Sequence, residues 1–230
     1  MRKLHLLTLI LAFQAFTWAQ EKQVTIEEIY QGAFRTEGMD ALRSMNNGKQ
    51  YTVLNMDREK MTSSIEKYDY KTLNKVGTIV NSSNLEGVGN FSAYSFSDDE
   101  KKILLSTEVE SIFRRSTLGI FYVYDIDSQR LVKISDFKIQ EPTLSPNGKQ
   151  VSYVMDNNLY LFTIESQETK QVTVDGVKNK IINGVTDWVY EEEFGFVRAF
   201  EWNADGTKIA FLRFDETEVP EFSMDMYGTY

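Results

Sequence analysis

The chain has 230 residues, 42% hydrophobic, 13% aromatic and 26% charged, with a formal net charge of −9. That acidity argues against a nucleic-acid-binding surface and favours cationic ligands. There is no cysteine, and the one histidine is His5, so these residues exclude disulfides, thiolate metal sites, cysteine nucleophiles and, beyond His5, any imidazole base.

Arg2 and Lys3 open the chain, and Leu4 to Phe16 is apolar apart from His5, Thr8 and Gln14. Thr17-Trp18-Ala19 then offers a small residue before a cut at Gln20. This order of features predicts a signal peptide over 1–19, with a buried N-terminal helix as the alternative; the segment is too short and wrongly flanked for a membrane span. Export to the periplasm or the medium follows from that reading. Cleavage removes two basic residues and no acid, leaving 23 basic against 34 acidic, or −11. An exported chain without disulfides needs a large hydrophobic core or a compartment where they are not required.

Thr25-Ile26-Glu27-Glu28 has the pattern of a capping box and predicts a short helix ending before Gly32. After it the chain leans toward strand, with 12 Tyr, 15 Phe, frequent Val and Ile, and few apolar helical periods. Three segments superpose without gaps: Phe96 to Leu105, Leu144 to Tyr153 and Trp202 to Phe211. A fourth, Asn47 to Val53, matches the second over its turn. In each, an apolar residue ends a strand, Ser or Asn opens a turn, Asp or Asn with Gly supplies a left-handed position, and an alternating strand follows. Glu100 stands where the other copies have Gly, which predicts strain or a different turn there.

A second repeat interleaves with the first. Tyr122 to Gln129 matches Tyr160 to Gln167, and Ile134-Ser135 falls on Val172-Thr173. Each unit therefore holds two hairpins, or four strands, at a spacing of about 40–60 residues suited to propeller blades with insertions. An ordinary β-sandwich with similar turns is the competing reading. The aligned Trp202 belongs, on this pattern, to a blade core.

Thr186-Asp187-Trp188-Val189-Tyr190-Glu191-Glu192-Glu193-Phe194 interrupts the strands. Three adjacent carboxylates repel one another, a cost reduced when a positive group lies nearby. Asp187 predicts the cap of a short helix from Trp188 to Phe194. On a strand Glu192 and Glu193 would point to opposite faces; on a helix they diverge by about 100° and can meet at one cation. Taken without context, the acidic run reads as a solvated face, and Arg114-Arg115 as surface charge. Trp188 and Tyr190 read as packing that holds the helix.

Asn183 to Phe194 resembles the double-glutamate motif of the dipeptidyl peptidase IV family. Phe214-Asp215-Glu216-Thr217-Glu218-Val219-Pro220 resembles the segment that follows it, and Phe113-Arg114-Arg115-Ser116 before Tyr122-Val123-Tyr124-Asp125 resembles the family's arginine-bearing loop. The likeness covers most of the chain after the leader, loosely before about Phe91 and closely after it. It implies an all-β fold, the first three to four blades of an eight-bladed propeller with a short helical insertion bearing the Glu pair, in residues 20–230.

For function, the resemblance implies the recognition part of an exported serine exopeptidase that releases Xaa-Pro or Xaa-Ala dipeptides. Glu192 and Glu193 would bind the substrate's α-ammonium and Arg114 a substrate carbonyl; Glu191 carries over no direct substrate role. No metal or cofactor is implied. The partners would be peptides with a free N-terminus, the α/β-hydrolase domain of the full-length protein, and a second copy in a homodimer. The family's Gly-x-Ser-x-Gly turn does not occur in these residues, so the chain alone is expected to be inactive. A non-catalytic peptide-binding or scaffolding propeller is the alternative.

Overall fold

The computed structural model describes residues 23–36, 38, 40–223, 225 and 228. The predicted signal peptide lies outside the described residues. No helix among them is long and apolar enough to cross a membrane. The chain divides into two compact units, 1–39 and 40–230.

In the first unit, α1 spans Ile26–Tyr30. The capping box forms as the sequence predicts: the Thr25 hydroxyl accepts from the Glu28 N–H at 3.2 Å, and the Glu28 carboxylate accepts from the Thr25 N–H at 3.4 Å. Gly32 follows at φ +76°, where the absence of a side chain lets the helix stop.

The second unit is built of antiparallel four-stranded meanders, as a partial β-propeller requires. The first is β1 (Leu42–Ser44), β2 (Gln50–Asp57), β3 (Thr62–Asp69) and β4 (Lys75–Asn81). The second is β5 (Ala93–Phe96), β6 (Lys102–Ser111), β7 (Thr117–Asp125) and β8 (Leu131–Lys133). The third is β9 (Gln140–Leu144), β10 (Gln150–Met155), β11 (Asn158–Thr163) and β12 (Glu168–Gln171). A fourth group holds β13 (Ile181–Asn183) paired with β16 (Arg213–Asp215), and β14 (Phe200–Trp202) paired with β15 (Ile209–Phe211). Helix α2 (Trp188–Phe194) projects between β13 and β14. A bridge from Val185 to Arg198 and a bond from the Thr186 N–H to the Val197 carbonyl close its base.

The repeated turns share one hydrogen-bonding scheme. The side chains of Asn47, Asp99, Asn147 and Asp205 each accept from the N–H two residues on. Two positions earlier in the scheme, Ser97, Ser145 and Asn203 each accept from the N–H five residues on. The left-handed residue is Gly48, Gly148 or Gly206 in three copies and Glu100, at φ +56°, in the other. Glu100 repays the strain in part: its carboxylate accepts from the Asn46 N–H at 2.7 Å, joining the first two turns. Asn147 joins the third turn to the fourth, donating to the carbonyls of Asp205 and Gly206, each at 3.0 Å. The second repeat is equally physical. Gln129 and Gln167 are both left-handed, and Ile134 and Val172 donate to the equivalent carbonyls of Phe121 and Leu159.

The core lies between the meanders. Ile65, Val80 and Phe91 meet Tyr94, Ile103, Leu105 and Tyr124. Leu104, Phe121 and Val123 meet Val151, Tyr153 and Phe162. Val154 and Leu159 meet Ile182, Val185 and Phe200. Successive residues of one strand therefore serve opposite interfaces: Ile103 and Leu105 face the first meander, while Leu104 faces the third. A strand covered on both faces reads as a continuous apolar run, which is why β6 and β10 lack clean polar alternation. Trp202 departs from the expected core position, being half-buried with its indole N–H buried and unpartnered.

Candidate substrate-binding site

Helix α2 is held at both ends by its own sequence. The Asp187 carboxylate accepts from the Tyr190 N–H at 2.7 Å, and Gly195, at φ +74°, returns its N–H to the Glu191 carbonyl at 3.1 Å. Tyr190 pins the helix laterally, its ring 5.0 Å from Phe194, 4.9 Å from Phe214 and 6.3 Å from Phe196. Tyr190 packs as the sequence suggests. Trp188 does not: it is 56% exposed and lines an open cleft of about 660 Å³ beside Asp187, Phe113 and Glu216. Two positions apart on a helix is a rotation of about 200°, so the two side chains leave opposite sides and only one of them can face the blade.

The three glutamates have three different environments. Glu191 is 1% exposed. One of its carboxylate oxygens accepts from the backbone N–H groups of Arg115 at 2.6 Å and Ser116 at 2.9 Å. Those residues lie in the loop between β6 and β7, closed by the Ile112 N–H donating to the Ser116 carbonyl at 2.8 Å. Glu192 is mostly buried, and the Arg114 Nε lies 3.3 Å from its carboxylate, with 73% of the arginine side chain exposed. Glu193 is exposed and makes no ion pair or hydrogen bond among the described residues. Arg115 extends past the helix end, its guanidinium nitrogen 3.7 Å from where a β-carbon on Gly195 would stand. A cation there complements the negative end of the helix.

The structure thus pairs Arg114 with Glu192, leaves Glu193 exposed at the next position, and ties Glu191 to the Arg115 and Ser116 backbone. Three carboxylates face two guanidinium groups, so the cluster retains one net negative charge. Glu193 presents it to solvent. No group of three or more potential ligands converges for a metal ion among the described residues. Nothing local distinguishes Glu191 from its two neighbours; a buried carboxylate demands partners, and it finds them in the Arg115 and Ser116 N–H groups.

Burial pushes the Glu191 carboxyl up, but the two N–H donors of Arg115 and Ser116 and the Arg115 charge reverse this and hold it below the ordinary carboxylate value. A group depressed on folding contributes stability that is present above its unfolded value of 4.5 and lost as pH falls through the lower folded value. We expect the melting-temperature gap between the native protein and Glu191→Gln to be widest near neutrality and to close as pH falls below 4.5 and through the lowered folded value. Thermal melts across that range check it, and a gap independent of pH would contradict it. Glu216 and Glu141 behave oppositely. Burial raises both, aided by Asp187 beside Glu216 and by Glu191 near Glu141, while Arg198 lowers Glu141.

Known proteins share this arrangement of chain. Residues 97–230 match the family described as dipeptidyl peptidase IV (DPP IV) N-terminal region. A probable dipeptidyl-aminopeptidase B of Neurospora crassa is 31% identical over 236 residues, covering 92% of this chain and 24% of that protein. Human prolyl endopeptidase FAP is 29% identical over 212 residues, covering 90% of this chain and 26% of that protein. The crystal structure of Porphyromonas gingivalis dipeptidyl peptidase 4 superposes with a TM-score of 0.80 at 37% identity, over 90% of this chain and 30% of that one. The chain therefore spans less than a third of the length of these relatives. With 134 matched residues, a shared propeller architecture and the match running through α2 and the arginine loop, the chain belongs to the dipeptidyl peptidase IV N-terminal region family.

Proposed function

We propose that this chain is the substrate-recognition portion of an exported dipeptidyl peptidase IV-like serine exopeptidase that releases Xaa-Pro and Xaa-Ala dipeptides. Glu192 and Glu193 take the substrate's α-ammonium, and Arg114 takes a backbone carbonyl. The observation that carries this reading is the unbalanced charge on α2: Glu192 is already paired with Arg114, and exposed Glu193 is left to receive one further cation. An α-amino group with a pKa of about 7.7–8 is that cation at neutral pH. A fixed guanidinium fork beside it suits an oxygen acceptor. Together they measure from the free terminus to the scissile bond, while the chemistry comes from a catalytic domain that this chain does not include.

The test compares Xaa-Pro chromogenic dipeptides with free and acetylated N-termini on the full-length protein. Acetylation removes the charge and leaves the carboxylates unpaired, so the blocked peptide should lose at least about 100-fold in kcat/KM. Equal turnover of both removes the clamp. Binding of free-terminus peptides with no turnover would support the non-catalytic propeller instead.

A further inference from the structure

Resting on the clamp reading above, we propose that Glu191 is a positioning residue: its buried carboxylate anchors the loop between β6 and β7 so that Arg114 stands against Glu192. It does not touch substrate.

Arg114 has little else to place it. Its side chain is 73% exposed, and its ion pair is with Glu192 on a helix 78 residues away in sequence, as the numbering shows. A pair whose arginine is this exposed is screened by solvent and does not by itself order a loop. The next two residues behave differently. The Arg115 and Ser116 N–H groups both converge on a single oxygen of Glu191, at 2.6 and 2.9 Å, and Glu191 is 1% exposed. Charge-assisted bonds to a carboxylate in a dry setting are strong and directional. The backbone immediately after Arg114 is thereby fixed to the helix that carries Glu192 and Glu193. The loop's other tie, from Ile112 to Ser116, lies within the second blade and sets no distance to α2. Three consecutive acids thus divide the work: one holds the scaffold, one holds the arginine, and one faces solvent.

The test is a mutant cycle in the full-length protein. Glu191→Leu keeps the volume and deletes the one oxygen that accepts both bonds; Glu191→Gln keeps a carbonyl oxygen for both N–H groups. For a free-terminus Xaa-Pro substrate, Glu191→Leu should raise KM about tenfold with kcat little changed, because ground-state and transition-state contacts to Arg114 are lost alike. Glu191→Gln should restore KM to within about threefold of the native value. In an Arg114→Ala background, Glu191→Leu should add almost nothing, since residues acting through one contact are not additive.

Equal KM effects of Glu191→Leu in both backgrounds, or a loss confined to kcat, would overturn the positioning role alone. An unchanged KM in Arg114→Ala would overturn the clamp reading and this inference with it. Should Glu191→Leu not fold, residue-resolved hydrogen exchange on the native protein decides. The Arg115 and Ser116 amides should be protected relative to Phe113 and Arg114, and uniform exchange across the four would overturn the anchor.

Discussion

Glu193→Ala in the full-length protein is expected to lower kcat/KM for a free-terminus Xaa-Pro chromogen by about 30- to 100-fold. A carboxylate about 4 Å from an ammonium attracts it by roughly 4 kcal/mol at an effective dielectric near 20. Desolvation of both ions offsets part of this, leaving about 2–3 kcal/mol, the upper part of the range for hydrogen bonds to charged groups. At about 1.4 kcal/mol per tenfold, that range gives the stated loss. Most of it should appear in KM, because the amine is charged and paired in the ground state as well as the transition state. Glu192→Ala should weaken capture to a similar extent, but for a mixed reason: it also strips Arg114 of its partner. Raising the pH past about 8 should reproduce the defect in the native protein, as the substrate amine loses its proton. Steady-state kinetics on the two alanine variants checks the assignment, which does not survive unchanged efficiency in both.

Phe91→Ala should destabilise the second unit by about 3–5 kcal/mol, the cost of emptying a large buried aromatic site. Phe91 is fully buried and sits where the first blade meets the second, packed in the group that includes Ile65, Val80, Ile103 and Leu105. Its backbone is fixed independently: the N–H donates to the Ser63 hydroxyl at 2.7 Å, and the Ser63 N–H donates to the Ser82 hydroxyl at 3.0 Å. The surrounding chain therefore cannot collapse readily into the space left behind. For a unit of this size each kcal/mol shifts the melting temperature by about 2–4 °C, so a fall of roughly 6–20 °C is expected. Phe91→Leu, which retains most of the volume, should cost less than half as much. Denaturant or thermal melts of the three proteins suffice, and a loss below about 1 kcal/mol for Phe91→Ala would mean that the blade interface is not sealed there.

The repeats were legible because each turn closes on itself. Asn147 caps its own loop whatever the rest of the chain does, and the same local bonds recur at Asn47, Asp99 and Asp205. The same is true of α2, whose Asp187 cap and Gly195 stop are written in adjacent residues. Even the strain at Glu100 follows from a side chain standing where three other copies have glycine. What could not be read locally was which neighbour each apolar residue meets. Leu104 and Leu105 are consecutive and chemically identical, yet they seal different interfaces.

The site divides in the same way. The sequence by itself determined the blade turns, the helix that carries the acids, and the motif that marks Glu192, Glu193 and Arg114. Only the tertiary structure decided that Trp188 lines an open cleft while Tyr190, itself partly exposed, lays its ring against Phe214, and that Glu191 is turned inward to hold the loop bearing Arg114. The physical reason is range. Capping and turn formation are settled within about one helical turn of chain. The partners of a buried carboxylate are settled by whichever N–H groups the packed blades deliver to it, and for Glu191 those come from 75 and 76 residues away.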